Sequence, residues 1–555
     1  MNTTRRTFLK GAAAGAAGVA LAGEVSAAFA APTIYPNTTT AEDFENSAAI
    51  AEPITEFADQ KTYDVVVVGA GTSGMPAALT ALEEGVSVAC LQKESVAISQ
   101  GGSSSGIILE ASSAVGLEQF KREYRRTCNY RYNRTLLDTY VNHSGEAILW
   151  MFEKTTAAGF PPYAHVINVF EYEDENSICS RITNRFGPKP MNNSDMIKYL
   201  ADYAQAQGVE MFYETPGVQL VQDESGRVTG VIGQNPDGTF TLFNANLAVI
   251  LATGDYQNNA SMVAKYAPDL CGFDRKQFNK TGDGILMSIM AGGHIVPPNH
   301  SRQMHDIDSG PMTNEPFLAL DENGIRFMNE EIGMDNWNSE LRWHDHPGKF
   351  VQIFDSNYAE QVTEWGGKPT AVADMENYIP GLLEEPKNVI PGLCDTHRCD
   401  TLEELAAELG IPADAMIASI EHYNELVAAG ADTDFGKSAK YLKPIDTPPF
   451  YGIHKWIRIT AICGGIAVDG NYQVVDGNNE PIPGLYAVGF GAGDLCGGID
   501  WSTYVTGMSN GSCMTSGRVA ALHAVHGVVE PTNPVKWEDH TEDYGAGSAL
   551  TGIIS

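Results

Sequence analysis

The chain is short of positive charge. Lys and Arg number 35 against 70 Asp and Glu in 555 residues, a net charge of −35. A protein that grips nucleic acid through its phosphates needs a basic footprint, so that class is excluded, and attraction to anionic lipid goes with it. Long apolar runs are also missing. Beyond the N-terminus nothing reaches the roughly 18 consecutive apolar residues of a membrane span, so no stable span is expected in the mature chain. Cysteine is sparse, with nine residues at 90, 128, 179, 271, 394, 399, 463, 496 and 513. An odd, scattered set in a large chain does not form a disulfide framework. No Cys-x-x-Cys-His occurs, so no c-type haem is attached. Cys394 and Cys399 have no second pair to complete a cluster or zinc site, and no metal site is read from them. Internal repeats of solenoid length are absent.

What the chain does have is core and glycine. Apolar residues make up 43%, enough to exclude wholesale disorder, and glycine stands at 56 of 555. That glycine excess signals tight turns and close approaches of backbone to ligand. The N-terminus carries Thr4-Arg5-Arg6-Thr7-Phe8-Leu9-Lys10, an Ala/Gly-rich run and a cleavage-like Ala28-Phe29-Ala30. Twin arginines before a modestly apolar stretch read as a Tat-type export signal over residues 1–31. That route suits a protein that acquires its cofactor before export. Residues 32–60 are polar and rich in Thr, Asn and acids, and read as a linker.

From Tyr63 the pattern becomes chemical. Tyr63-Asp64-Val65-Val66-Val67-Val68 suits a buried parallel strand, and it runs directly into Gly69-Ala70-Gly71-Thr72-Ser73-Gly74 and a helical Met75–Glu84. In this strand–turn–helix context Gly69 permits the tight turn, Gly71 lets N–H groups reach a pyrophosphate, and Gly74 lets helix and strand pack closely. The phosphate then sits at a helix N-terminus, where open N–H groups and the dipole favour an anion. A second strand, 86–91, should end at an acid for the ribose hydroxyls; Gln92 stands there instead, followed by Lys93 and Glu94. Short strands are expected near 211–213, 217–221 and 228–232. Helical spacing runs from Thr401 to Ala429, with Pro412 opening a second helix, and Ser509–Val525 reads as a helix. Between about 300 and 460 the strand signal fades and helices and loops dominate.

Further motifs stand in order along the chain: Gly101-Gly102-Ser103-Ser104-Ser105-Gly106, Val249-Ile250-Leu251-Ala252-Thr253-Gly254, Thr281-Gly282-Asp283-Gly284, Gly324-Ile325-Arg326-Phe327-Met328-Asn329-Glu330 and Gly484-Leu485-Tyr486-Ala487-Val488-Gly489. With the glycine turn, this set resembles the flavoprotein subunits of the fumarate reductase/succinate dehydrogenase family, over about 62–526. The resemblance implies FAD and an α/β fold, a Rossmann-like FAD-binding domain interrupted by an α+β capping domain. The expected division is FAD-binding domain over 61–299 and 461–530, cap over 300–460, and a tail over 531–555. It also implies cofactor contacts from Gly69, Gly71, Thr72, Ser73, Gly74, Gln92, Lys93, Gly101, Gly102, Ser103, Ala252, Thr253, Gly254, Asp283, Asp494, Ser509 and Asn510. The helix starting near Ser509 would stabilise the anionic reduced flavin by its dipole.

The substrate-handling positions depart from the fumarate reductases of that family. Four residues past Glu330 they place a proton-donating arginine, and here Met334 stands. Their substrate histidine before Met-Gly-Gly falls on Ala461 in Thr460-Ala461-Ile462-Cys463-Gly464-Gly465. A Thr-Glu pair with an upstream histidine has no match in Asn299–Asn314, and the carboxylate-binding arginine aligns with Tyr504. A dicarboxylate needs paired cations to repay its desolvation, so this set argues against fumarate. A tyrosine at that place resembles 3-ketosteroid dehydrogenases, cardiac glycoside reductases and exported reductases of anaerobic bacteria.

The expected chemistry is hydride delivery from reduced flavin N5 to an activated C=C bond of an enone, lactone or acrylate in anaerobic respiration, with protonation by an acid. Tyr504 is the first candidate acid; Asp335, Asp500, Glu331 and His305 follow. Trp501 is read as a stacking or core residue. Arg342, His344 and His346 could hold a single carboxylate or form cap salt bridges. Lacking its own haem, the chain is expected to take electrons from a separate donor, a cytochrome, which the acidic surface would suit. Two alternatives stand beside this: a 3-ketosteroid-type dehydrogenase running the chemistry backwards, and a non-catalytic flavin electron carrier.

Overall fold

The computed structural model describes residues 35–172, 177–186, 193–304, 307–308, 315–332, 334–383, 389–497 and 500–530. The leader 1–31, His305 and the tail 531–555 lie outside the described residues, as does the side chain of Asp335.

A parallel sheet forms the centre. Its order is Gln473–Val475, Pro481–Ala487, Phe240–Leu251, Asp59–Val68, Val88–Leu91 and Glu210–Phe212. All neighbours pair parallel except the antiparallel edge strand Gln473–Val475. The hairpin Gly217–Gln222/Val228–Gln234 adds to Phe240–Leu251, which completes eight strands. Val65, Val66, Val67 and Val68 are fully buried, as β-branched residues covered on both sheet faces should be. Helix Gly74–Glu83 packs behind this strand, and the long helix Met508–His526 packs on Gly74–Glu83 in turn. A three-stranded antiparallel sheet, Ser103–Ile108, Ile178–Arg185 and Ala164–Glu171, lies under the same helix.

The cap holds more strand than its sequence suggests. Ile307–Asp308, Phe450–Ile457, Lys349–Phe354 and Leu318–Leu320 run in that order, with Thr396–Cys399 paired to Phe450–Ile457. Two apolar clusters of its own support this sheet. Leu318, Leu320, Val351 and Ile353 meet the helices Leu402–Leu409 and Ala413–Ala429 on one side, and Phe317, Phe354, Tyr358 and Tyr451 gather on the other. The helical reading of Thr401–Ala429 holds: the Thr401 hydroxyl caps the first helix by accepting from Glu404 N–H, and Pro412 precedes the second.

The segment expected as a linker is docked from residue 35 onward. A short helix, Ala41–Glu45, buries Asp43, which accepts from Ser261 Oγ at 2.6 Å and pairs with Lys265. Buried polar contacts of this kind fix a segment whose composition alone reads as free.

Candidate active site

The cofactor cradle forms where the central strands end. Gly69 has φ of 110°, and a Cβ there would stand 2.4 Å from the Ala252 carbonyl oxygen. A Cβ at Gly74 would meet the Gly69 carbonyl oxygen at 1.7 Å, so the turn closes only on glycine. The open cleft in front of this turn is lined by Gly69, Gly71, Gln92, Lys93, Ala252, Thr253, Lys280 and Asp283 among others. The Gly/Ser segment 101–106 lies against the start of helix Met508–His526. Gly101 approaches Asn510, whose side-chain amide donates to the Ser103 carbonyl at 2.9 Å. The hydroxyls of Ser104 and Ser105 are buried and find no partner among the described residues. Buried hydroxyls without partners beside a glycine-walled cleft fit a polar group that completes them. Helix Met508–His526 begins at Gly507 with no side-chain cap. A Cβ at Gly511 would stand 1.9 Å from the Ser105 carbonyl oxygen, and one at Gly517 would stand 2.0 Å from that of Ser73. The helix therefore lies flush against both walls of the cradle.

Several expected cofactor residues have protein partners. Gln92 is buried, accepts from Ala70 N–H at 3.2 Å and donates to Val96 O at 2.8 Å, so its amide buttresses the glycine turn. Asp283 accepts from Ser47 Oγ, Ala48 N–H, Thr281 Oγ and Lys93 Nζ at 2.6–3.1 Å. It ties the N-terminal segment to the cleft rim instead of standing free for a ribityl chain. Thr72 bonds Ser99, and Thr253 Oγ accepts from Gly284 N–H at 3.1 Å. Asp494 accepts from Asn133, both N–H and side-chain amide, and burial pushes its carboxyl up from the usual range. Lys280 was not singled out in the sequence. Its ammonium stands over Gly254 on the cleft wall, and its place just ahead of Gly282-Asp283 was the available signal.

A second, small hollow lies by the start of the long helix, lined by Cys463, Phe490, Trp501, Ser512 and Ser516 among others. Trp501 is buried and meets Phe490 edge-on with centroids 5.9 Å apart. Tyr504 packs into an aromatic cluster. Its ring lies 5.1 Å from Phe170 and 5.9 Å from Phe120, and its hydroxyl shares a 2.8 Å hydrogen bond with the Tyr172 hydroxyl. Burial pushes the Tyr504 phenol above its ordinary value, while Tyr172 works in the opposite direction. Burial and then the Tyr504 contact push Tyr172 higher still. Both phenols keep their protons at neutral pH.

The Arg181 guanidinium lies 4.8 Å from the Phe170 ring centroid, and its buried Nη1 has no hydrogen-bond partner among the described residues. Burial lowers its pKa, and Tyr140 and Tyr504 are among the groups that bear on its charge. No sequence motif marks Arg181 or Tyr172.

The other candidate acids are engaged elsewhere. Asp500 accepts from Arg342 at 2.6 and 3.2 Å and from the Asn338 amide at 3.0 Å. Arg342 also pairs with Asp269 at 3.0 Å, and Asp269 with Arg302. This chain of charges joins the cap helix Met334–Leu341 to the flavin domain, so Asp500 serves as an anchor and Arg342 is not free for a substrate. Glu331 accepts from Ser438 N–H and hydroxyl on the cap. His344 packs edge-on against Phe327, and His346 pairs with Glu322. His300, also missed, is buried with one nitrogen bonded to Tyr256 Oη and the other to Val296 O, and burial lowers its pKa to about 4.

Residues 64–507 match the family described as FAD binding domain. The chain belongs to this family. Its cofactor is FAD, and it is an oxidoreductase that acts on CH–CH groups. Residues 2–22 match the twin-arginine translocation signal, so the chain carries an export address, and among the described residues no helix is long and apolar enough to cross a membrane. The vinyl phenol reductase of Lactiplantibacillus plantarum is 28% identical over 84% of this chain and 97% of its own length. The NADH:acrylate oxidoreductase of Vibrio harveyi is 26% identical over 84% of this chain, which spans half of that protein. The open conformation of a flavocytochrome c3 fumarate reductase superposes with a TM-score of 0.64 at 21% identity, covering 84% of this chain and 79% of the other. The suspected resemblance thus holds for fold and cofactor, and the carrier reading gives way to an enzyme.

Proposed function

We propose that the chain is an exported FAD-dependent reductase of the activated C=C bond of a substituted acrylate, a flat monocarboxylate. The observation that carries this is the aromatic cluster of Phe120, Phe170, Tyr172 and Tyr504 with the Arg181 guanidinium stacked on Phe170, its Nη1 without a hydrogen-bond partner among the described residues. A half-buried guanidinium with no ion pair among the described residues suits one carboxylate of a substrate, whereas a dicarboxylate requires two cations. Arg302 and Arg342, the other arginines near the cap junction, are neutralised by Asp269 and Asp500. Aromatic walls suit a planar acceptor, and the likeness to proteins named for vinyl phenol and acrylate points the same way.

FAD, when bound and reduced, supplies the hydride. The chain's own residues do the rest. Arg181 holds the carboxylate, and Phe170 and Phe120 orient the plane and exclude water. Tyr504 Oη gives its proton to the carbon that does not receive hydride, and Tyr172 donates to the resulting phenolate. Electrons reach the flavin from a separate donor, a cytochrome, attracted by the acidic surface.

The test is an anaerobic screen with a reduced viologen dye as donor and acrylates, enones, ketosteroids and fumarate as acceptors. Fast dye oxidation by acrylates supports the reading. Preference for fumarate overturns it, and dye reduction by a saturated ketosteroid moves the chain to the dehydrogenases.

A further inference from the structure

The cap contains a cluster that the flavin chemistry does not use. Asp395 stands just before the strand Thr396–Cys399, and His397 lies on it. His454 comes from the neighbouring strand Phe450–Ile457, where His397 pairs with Gly452 and the His454 N–H donates to the Asp395 carbonyl at 3.0 Å. The register therefore turns three side chains toward one point. Asp395 Oδ1 lies 2.5 Å from His454 Nδ1 and 3.4 Å from His397 Nε2, and the three groups can each offer a ligand atom within 4.8 Å of one another. Asp395 is buried at 1% exposure, and its second oxygen accepts from Gly392 N–H at 2.7 Å.

The outward-facing nitrogens decide what belongs at that point. His454 Nε2 faces the Leu409 carbonyl at 3.0 Å, and His397 Nδ1 faces the Glu408 carboxylate at 3.4 Å. Each ring thus turns one nitrogen toward the buried Asp395 carboxylate and the other toward a further acceptor, with the ring centroids 5.6 Å apart. A divalent ion at the shared point bridges the three inward-facing atoms. Each ring then binds through its inner nitrogen and donates its outer N–H to a carbonyl or carboxylate, the usual outer support of a metal-bound histidine. Tetrahedral zinc, with bonds of about 2.0–2.2 Å, needs ligand atoms about 3.3–3.5 Å apart. The His397–Asp395 separation is already in that range, and the His454 contact widens on binding. His397 Nε2 is buried and, among the described residues, has no hydrogen-bond partner, as an empty ligand position would leave it.

We propose that Asp395, His397 and His454 bind Zn²⁺, with Asp395 monodentate and a water at the fourth position. The ion clips the outermost strand of the cap sheet to its neighbour and, through Leu409 and Glu408, to the end of helix Leu402–Leu409. That helix already packs close, since a Cβ at Gly452 would stand 2.6 Å from Leu409 Cδ1. The clip rigidifies the cap without touching the flavin.

The test uses the full, flavin-loaded, tag-free protein, stripped with a chelator, incubated with Zn²⁺, passed through gel filtration and analysed for metal. The expected result is about one zinc per chain and a rise in Tm of a few degrees, as specific binding to the native state requires. His397→Gln and Asp395→Asn should lose that zinc while keeping their flavin. Where a variant does not fold, mapping histidine carbethoxylation in the wild type decides: zinc should shield His397 and His454. Absence of retained zinc, equal retention by the folded variants, or no shielding of these histidines overturns the site.

Discussion

Replacing Tyr504 by phenylalanine separates packing from chemistry. The ring stays between Phe170 and Phe120, and only the hydroxyl, with its 2.8 Å bond to Tyr172, is lost. That bond contributes about 1 kcal/mol to stability, so Tm should move by only a few degrees. The rate should respond far more. General acids contribute roughly 10²–10⁴-fold, which is about 2.7–5.4 kcal/mol of barrier at 1.36 kcal/mol per decade. The barrier change therefore exceeds the stability change severalfold if Tyr504 Oη is the proton source. The assay is stopped-flow reoxidation of reduced protein by an acrylate in H₂O and D₂O. Tyr504→Phe should slow it at least about 100-fold, and Tyr172→Phe should slow it less, since Tyr172 acts through Tyr504. A Tyr504→Phe rate close to wild type, with an unchanged solvent isotope effect, refutes the assignment.

Arg181→Met should raise KM for an acrylate about 10–100-fold, the size of a lost charge-assisted bond, and leave a neutral enone unaffected; steady-state kinetics on both substrates reads this. Gly69→Ala should yield protein without flavin, because the new Cβ would stand 2.4 Å from the Ala252 carbonyl oxygen; the visible absorbance of the purified protein checks it. Asp500→Asn should lower Tm by a few degrees, about 2 kcal/mol, by leaving Arg342 short of a carboxylate; differential scanning calorimetry measures this. His300 is held neutral, with its pKa lowered to about 4 from 6.5. Between these values the unfolded chain binds the extra proton, so the contribution is full above pH 6.5 and fades as pH falls toward 4. About 3 kcal/mol is at stake, and His300→Gln should flatten the pH dependence of stability in that window when denaturation curves are compared with wild type.

The sequence announced the cradle because its chemistry depends on glycine at fixed spacing. Gly69, Gly71 and Gly74 between a valine strand and a helix admit few other readings, and the helix near Ser509 was legible for a similar reason: its glycines have to lie against Ser73 and Ser105. The aromatic cluster was less legible. Tyr504 stood out only by replacing an arginine expected from resemblance. Tyr172 comes from a strand end 332 residues away, and no local pattern links the two. Arg181 sits in Ile178–Arg185 among other polar residues, where only the fold shows its guanidinium stacked on Phe170 with Nη1 unpartnered among the described residues. Asp500 looked like a free acid until Arg342, 158 residues earlier, was seen to clamp it. The cap sheet escaped notice because its strands are short and carry residues such as His397 and Arg398, which break the alternation that marks a strand. Gln92 and Asp283 were read as ligand contacts from their positions. Their protein partners come from segments the sequence leaves distant, such as Ser47 and Ala48.

The most direct measurement is single turnover under anaerobic conditions. The flavin-loaded protein is reduced chemically, mixed separately with an acrylate and with fumarate, and followed by the return of oxidised flavin absorbance. The account predicts rapid reoxidation by the monocarboxylate, with formation of its saturated product, and slow or no reoxidation by fumarate. Faster reoxidation by fumarate, or indifference to both, contradicts it.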